Sequence, residues 1–160
     1  MTAGNSSKLN DGACAISTLC IDLVVVSKEK MLSLGLKPLA RIVSYADAEI
    51  EPIDFCVAPY SASLLALKRA NLTVEQIDFF EFNEAFAATA LANIELLKLD
   101  PKKVNVNGGA VSLGHPIGMS GARIVQSLTT VLHQNKGRFG LAAICNGGGG
   151  ASCIILERLS

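Results

Sequence analysis

The stretch FGLAAICNGGGGASCIIL, residues 139–156, decides how this chain folds. It is uncharged, strongly apolar and long enough to cross a membrane as one helix. Its centre, however, is Asn146-Gly147-Gly148-Gly149-Gly150. Glycine clusters punctuate regular structure, so the run reads as two strands, 139–145 and 151–157, around a turn. That turn is too short for a helical crossover, which makes the pair an antiparallel hairpin.

Working back from the hairpin, strand and helix signals alternate. Strand composition occurs at 23–26, 39–46, 77–82 and 104–106. A short helix is expected at 28–34, closed by Gly35, and another at 61–70 with Leu64, Leu65 and Leu67 inward. Thr73-Val74-Glu75-Gln76 has capping-box spacing and predicts a helical turn. After Asn83-Glu84, a long helix presents Ala87, Ala90, Leu91, Ile94 and Leu97 at helical spacing until Asp100-Pro101 stops it. Residues 108–121 read as a glycine-rich loop. Ile124, Leu128, Val131 and Leu132 mark the last helix, closed by Gly137. This order predicts a layered α/β domain, its sheet covered by helices on both faces.

Bulk properties narrow the function classes. The 160 residues suit one domain with a real core. Fourteen basic and fourteen acidic residues cancel, so no basic field invites nucleic acid or a membrane surface. Five cysteines without a CxxC pair read as reduced thiols of an intracellular protein. The first residues, polar and small, contain no apolar signal core.

Three loops follow strands and carry reactive side chains. Asn83 stands at a strand end and a helix start: it is either a helix cap or an amide at the sheet edge where α/β proteins gather their sites. His115 lies between Gly114 and Pro116 in a loop with no Gly-Lys-Ser/Thr phosphate-binding ending. A lone histidine is usually structural, but this glycine setting favours a catalytic one. Cys145 ends a strand just before the four glycines. It is either a packed, inert thiol or one beside unshielded backbone N–H groups, as an oxyanion site or activated thiolate requires. Amide, imidazole and thiol together suit acyl transfer or carbanion formation next to a carbonyl. Metal binding is disfavoured, since His133 is the only other histidine and no ligand spacing occurs. Cys14, Cys20, Cys56 and Cys153 read as packing residues.

The blocks NEAFA (from Asn83), GGAVSLGHPIGMSGAR (from Gly108) and CNGGGGAS (from Cys145), with TAGNSSKLNDGA near the start, resemble the signature loops of the thiolase family. The wording is most like its mitochondrial acetoacetyl-CoA-forming members. The resemblance implies a thiolase-like layered fold with a mixed sheet. Residues 1–27 would be a remnant of the N-terminal domain and 28–160 the C-terminal domain. It implies joining two acetyl-CoA into acetoacetyl-CoA and CoA, or the reverse thiolysis. Cys145 matches the acid/base on the reacting carbon. His115 matches the activator of the nucleophile, Asn83 the residue that fixes an oxyanion-site water, and Gly147 a backbone N–H donor of the second oxyanion site. Ser7, Leu9 and Phe86 match contacts to the pantetheine arm or adjacent CoA. Val111 matches the neighbourhood of a potassium ion in some members; no other cofactor is implied. Partners would be the CoA thioesters and either a thiolase N-terminal half or further copies of the chain, tetramers being found in similar enzymes. The compartment would be mitochondrial, with cytoplasm as the alternative.

Two departures qualify the resemblance. The family's nucleophilic cysteine belongs to the N-terminal half, and none of the five cysteines here stands in its motif. The isolated chain is therefore expected to be inactive, a non-catalytic CoA-binding or subunit-interacting fragment being the alternative. Residues 14–22 also depart from the family's wording, which leaves the register of the adjacent strand open.

Overall fold

A computed structural model of the chain describes residues 1–8, 10–13 and 25–159. Leu9, Cys14, Cys20, Leu23 and Val24 lie outside the described residues, as does the stretch 14–22. Val25 and Val26, the described part of the first expected strand, are exposed and in no strand.

Four strands form one sheet: β1 (Ala40–Glu49), β2 (Phe79–Phe82), β3 (Phe139–Cys145) and β4 (Gly150–Arg158), in the order β1-β4-β3-β2. The expected hairpin is there, with Cys145 opposite Ala151 and Ala143 opposite Cys153. β1 pairs antiparallel with β4, and β2 pairs parallel with β3, so the sheet is mixed. Its apolar residues alternate between two cores. Leu141, Ala143, Ala151, Cys153 and Ile155 join one buried cluster; Ala142 and Leu156 join the other. A strand whose neighbours in sequence bury on opposite faces has both faces covered.

Helix α2 (Ala58–Ala70) covers the first face, and α5 (Ile117–Gln134) covers the second with Ile124, Leu128 and Leu132. Among the described residues there are also helices α1 (Lys28–Ser33), α3 (Ala87–Leu97) and α4 (Ala110–Leu113) and four 3₁₀ turns. One of these, Val74–Gln76, is the turn predicted by the capping box at Thr73.

Of the leucines expected on the inward face of α2, Leu65 and Leu67 pack on the core and Leu64 does not. Ala58, Ala62 and Ala66 are fully buried, with Ser63 and Leu67, while Leu64 is 42% exposed. Alanines four apart form a flat ridge that seats the helix close to the sheet, and this close fit overrides the size of Leu64. In α3, Thr89 and Asn93 are buried, while Leu91 is 65% exposed. The Asn93 amide is retained inside by donating to the carbonyl oxygens of Cys56 and Thr89, at 3.0 and 2.7 Å.

Residues 108–121 are not the continuous loop expected. They contain α4 and the first turns of α5, which starts directly after Pro116. Proline's fixed φ suits a helix entry, and the glycines there weaken the helix without stopping it. The expected strand at 104–106 reduces to a single bridge between Phe80 and Val104.

Candidate functional site

β2 and β3 run parallel and end side by side. The Asn83 N–H donates to the Ala143 carbonyl at 3.0 Å, so Asn83 leaves the sheet one residue short of the level of Cys145. The helix-cap reading of Asn83 fails. The cap position of α3 belongs to Phe86, and the Asn83 side chain is completely buried. Its Nδ2 lies 3.2 Å from His115 Nε2, and its Oδ1 accepts from Arg123 at 3.1 Å.

His115 is half-buried on the short link between α4 and α5. Its Nδ1 lies 2.6 Å from Ser120 Oγ, which donates at 3.0 Å to the Pro116 carbonyl. Burial lowers the imidazole pKa, and the Arg123 charge lowers it further, so both favour the neutral ring. The N-terminal segment ties this loop to the Asn83 loop. Ser7 donates its N–H to Ala85 at 3.0 Å, Ser6 bridges to Phe86, and the His115 N–H points to the Lys8 carbonyl at 3.4 Å. Ser7 and Phe86 therefore sit together beside the site; Phe86 also meets Phe55 edge-on at 5.9 Å.

Cys145 is buried at the end of β3. Burial pushes its thiol pKa up and the Cys56 sulfur adds to this, while a backbone amide and the Thr89 hydroxyl oppose it. The upward shift favours the thiol over the thiolate. Beyond it, Asn146 organises the turn: its Oδ1 accepts from Gly148 and Gly150 at 3.1 and 3.3 Å. Gly147 is exposed, and its N–H meets no partner among the described residues.

Asn83 thus joins the two loops, its side chain on His115 and its backbone on β3 just before Cys145. A second clamp holds the arrangement. Glu84 accepts from Asn105 Nδ2 at 3.0 Å and from the Val111 N–H at 3.1 Å. Asn105 also donates to and accepts from the backbone of Phe82. A side chain at position 109 would collide with the Glu84 carboxylate, so Gly109 lets the loop close on the sheet edge. Glu84, Ala87, Leu91 and Val111 help line an open hollow of about 440 Å³ there.

Glu81 and Arg123 were not singled out from the sequence. Glu81 is 1% exposed, and its Oε2 is 3.6 Å from Arg123 Nη1, too long for a hydrogen bond. A lone carboxylate among Phe79, Phe80 and Phe82 was the available signal, because an apolar strand carries a buried charge only with a partner. Burial drives its pKa from 4.5 up to about 7; Arg123 counters this and Glu84 adds to it. Between those two values the folded chain binds more protons than the unfolded one. Glu81 therefore weakens the fold as pH rises from about 4.5 to about 7, by about 3 kcal/mol in all. Urea titrations across this range are expected to show that component in the native chain and to lack it in Glu81→Gln.

Residues 36–158 match the family described as thiolase, C-terminal domain. The chain belongs to the thiolase family. It is 55% identical over 159 residues to the mitochondrial acetyl-CoA acetyltransferase of Homo sapiens, covering 99% of this chain and 35% of that protein. It is 50% identical to a cytosolic acetyl-CoA acetyltransferase of Gibberella zeae, covering 99% and 38%. Its fold is that of a solved thiolase from Ascaris suum in complex with coenzyme A, with a TM-score of 0.86 and 48% identity, covering 99% of this chain and 39% of that one. The chain thus spans little more than a third of the length of the thiolases it matches. Among the described residues, no group of three or more His, Cys, Asp or Glu could hold a metal ion, and no helix is long and apolar enough to cross a membrane.

Proposed function

We propose that this chain supplies the acid/base half of a thiolase-type acyltransferase. That enzyme would condense two acetyl-CoA into acetoacetyl-CoA and CoA, or cleave acetoacetyl-CoA with CoA. The observation that carries this reading is the contact of Asn83 with His115 Nε2 at 3.2 Å, built on the same sheet edge as the buried Cys145 thiol. Neutral His115 can take a proton from a nucleophilic thiol. Cys145, resting as a thiol, is in the form that protonates the acetyl-CoA carbanion in cleavage; in synthesis its thiolate removes the α-proton. Asn83 would hold a water at the first oxyanion site, and the unengaged Gly147 N–H would serve the second. Ser7, hydrogen-bonded to Ala85 next to Phe86, and Phe86 itself would meet the pantetheine arm, with Leu9. A potassium contact at Val111 would use its carbonyl, since its N–H is taken by Glu84; no step depends on it.

The nucleophile would come from an N-terminal half, either a separate polypeptide or one continuous with this chain. Residues 1–27 would be that half's remnant and 28–160 the C-terminal domain. Leu113 and Ile117, on either side of His115, are 56% and 83% exposed. Apolar side chains flanking a site in this way suit an interface that a second half or copy covers. Resemblance to a mitochondrial relative supports that compartment, and a cytosolic relative keeps the other one open.

An acetoacetyl-CoA thiolysis assay tests the proposal. The chain alone is expected to show no turnover, and mixing with a nucleophile-bearing thiolase half is expected to restore it. Robust turnover by the chain alone, lost in Cys145→Ala, would overturn the need for a second half. CoA binding with no turnover in any mixture would instead favour a non-catalytic CoA-binding fragment.

A further inference from the structure

We propose that Arg123 is a positioning residue that fixes the polarity of the Asn83 amide and so places the ring proton of His115 on Nδ1, leaving a lone pair on Nε2. The inference deepens the reading of His115 as the base of the proposed thiolase reaction and rests on it only for its catalytic meaning.

The assignment follows from which atoms can donate. A guanidinium has five N–H donors and no acceptor. The Asn83 atom that meets Arg123 at 3.1 Å must therefore be the amide oxygen. The NH₂ end is then forced towards His115 Nε2, 3.2 Å away. An NH₂ group only donates, so Nε2 must accept and cannot carry the proton. On the other side of the ring, Ser120 spends its hydroxyl hydrogen on the Pro116 carbonyl, which leaves its oxygen to accept from Nδ1–H at 2.6 Å. Each of the four contacts from Arg123 to Pro116 then pairs one donor with one acceptor. The opposite tautomer would place two N–H groups head to head in a half-buried site and leave Ser120 without its donor. Buried Glu81 holds the other side of the guanidinium, at 3.6 Å, and so fixes the direction from which Arg123 approaches the amide.

The consequence is a base ready in its neutral form. A proton delivered by a nucleophilic thiol would go to Nε2, giving an imidazolium that keeps its Nδ1–H on Ser120 and a thiolate on the nucleophile. The Asn83 NH₂ swings aside as that proton arrives and is then free to hold a water.

The chain contains two histidines, which makes the test direct. His133 Nε2 lies 3.0 Å from the Leu39 carbonyl, an acceptor, so His133 should carry its proton on Nε2. Two-bond ¹H–¹⁵N spectra of the labelled chain at pH 8, assigned with His133→Gln, should show opposite tautomers, with Nδ1–H of His115 favoured about tenfold or more. In Asn83→Asp, where only acceptors face the ring, the His115 proton should move to Nε2. In Arg123→Gln, whose amide can donate or accept, the preference should fall to a mixture. A native His115 protonated on Nε2 overturns the proposal. So does an Arg123→Gln chain that keeps native amide dispersion and an unchanged tautomer; if that variant does not fold, the native chain and Asn83→Asp decide. None of these readings uses thiolysis. Failure to restore turnover with an undisturbed Nδ1–H tautomer would remove the acyltransferase reading alone.

Discussion

Cys145→Ala is expected to lower thiolysis by a factor of about 10²–10⁴ when the chain is paired with a nucleophile-bearing half, the range for loss of a positioned acid/base. The thiol sits at the end of β3, buried, with the Thr89 hydroxyl and the Cys56 sulfur as neighbours. Alanine removes one sulfur and leaves the pairing of position 145 with Ala151 in place, so the fold should survive. Cys145→Ser tests the chemistry more narrowly. A hydroxyl of similar size would preserve packing but not a group able to ionise, and activity should stay low. Cys153 is the control. It is also buried, with its thiol pushed up to about 12, but it packs in the core beneath α2, near Ser63. Cys153→Ala should cost stability and leave the rate per folded molecule unchanged. Equal kcat losses at both cysteines would mean that packing, not proton transfer, explains the effect of Cys145.

Gly149→Ala is expected to destabilise the chain by about 2–4 kcal/mol, read from urea unfolding. Two costs combine. Gly149 has φ +88°, where an L side chain is strained, and a Cβ there would collide with the Ile50 carbonyl oxygen and press on Pro52. These are backbone atoms and cannot swing away. The Ile50 N–H also donates to the Gly149 carbonyl at 3.0 Å, so any shift breaks the link between the β3–β4 turn and the end of β1. Gly147→Ala is the comparison. Nothing lies within 4 Å of a Cβ at that position, and its stability should change by less than about 0.5 kcal/mol. A Gly149→Ala chain as stable as Gly147→Ala would show that the turn adjusts freely.

Much of this architecture was legible in the residues. The β3–β4 hairpin followed from an apolar run interrupted by glycines, because strand pairing across a short turn is a local event. The alternation of strands and helices followed in the same way. What was only partly legible was which side chains of a helix face inward. In α2, Leu65 and Leu67 do face the core, but Leu64 does not, and the alanine ridge of Ala58, Ala62 and Ala66 docks beside them, since close approach depends on the partner surface. At 108–121 the glycines suggested a loop, but the start of α5 is governed by Pro116 and by packing against the sheet. Asn83, His115 and Cys145 could be singled out by their settings. Arg123 and Glu81 could not be paired that way, because their contact exists only once α5 lies across β2. The cap reading of Asn83 failed for the same reason: the amide is claimed by a residue distant in sequence.

The parallel pairing of β2 with β3 has a consequence for how the site comes into being. Antiparallel neighbours can zip from a turn, whereas these two strands meet only after the chain between Phe82 and Phe139 has travelled out and back. Asn83, His115, Ser120 and Arg123 all ride on that excursion, and Cys145 waits at its far end. Closing so long a path must be paid in chain entropy before any contact rewards it, so such contacts form late. A full chain refolding from the unfolded state would therefore close its hairpin early and its hydrogen-bonded imidazole late, its reactive groups kept apart until the sheet is whole.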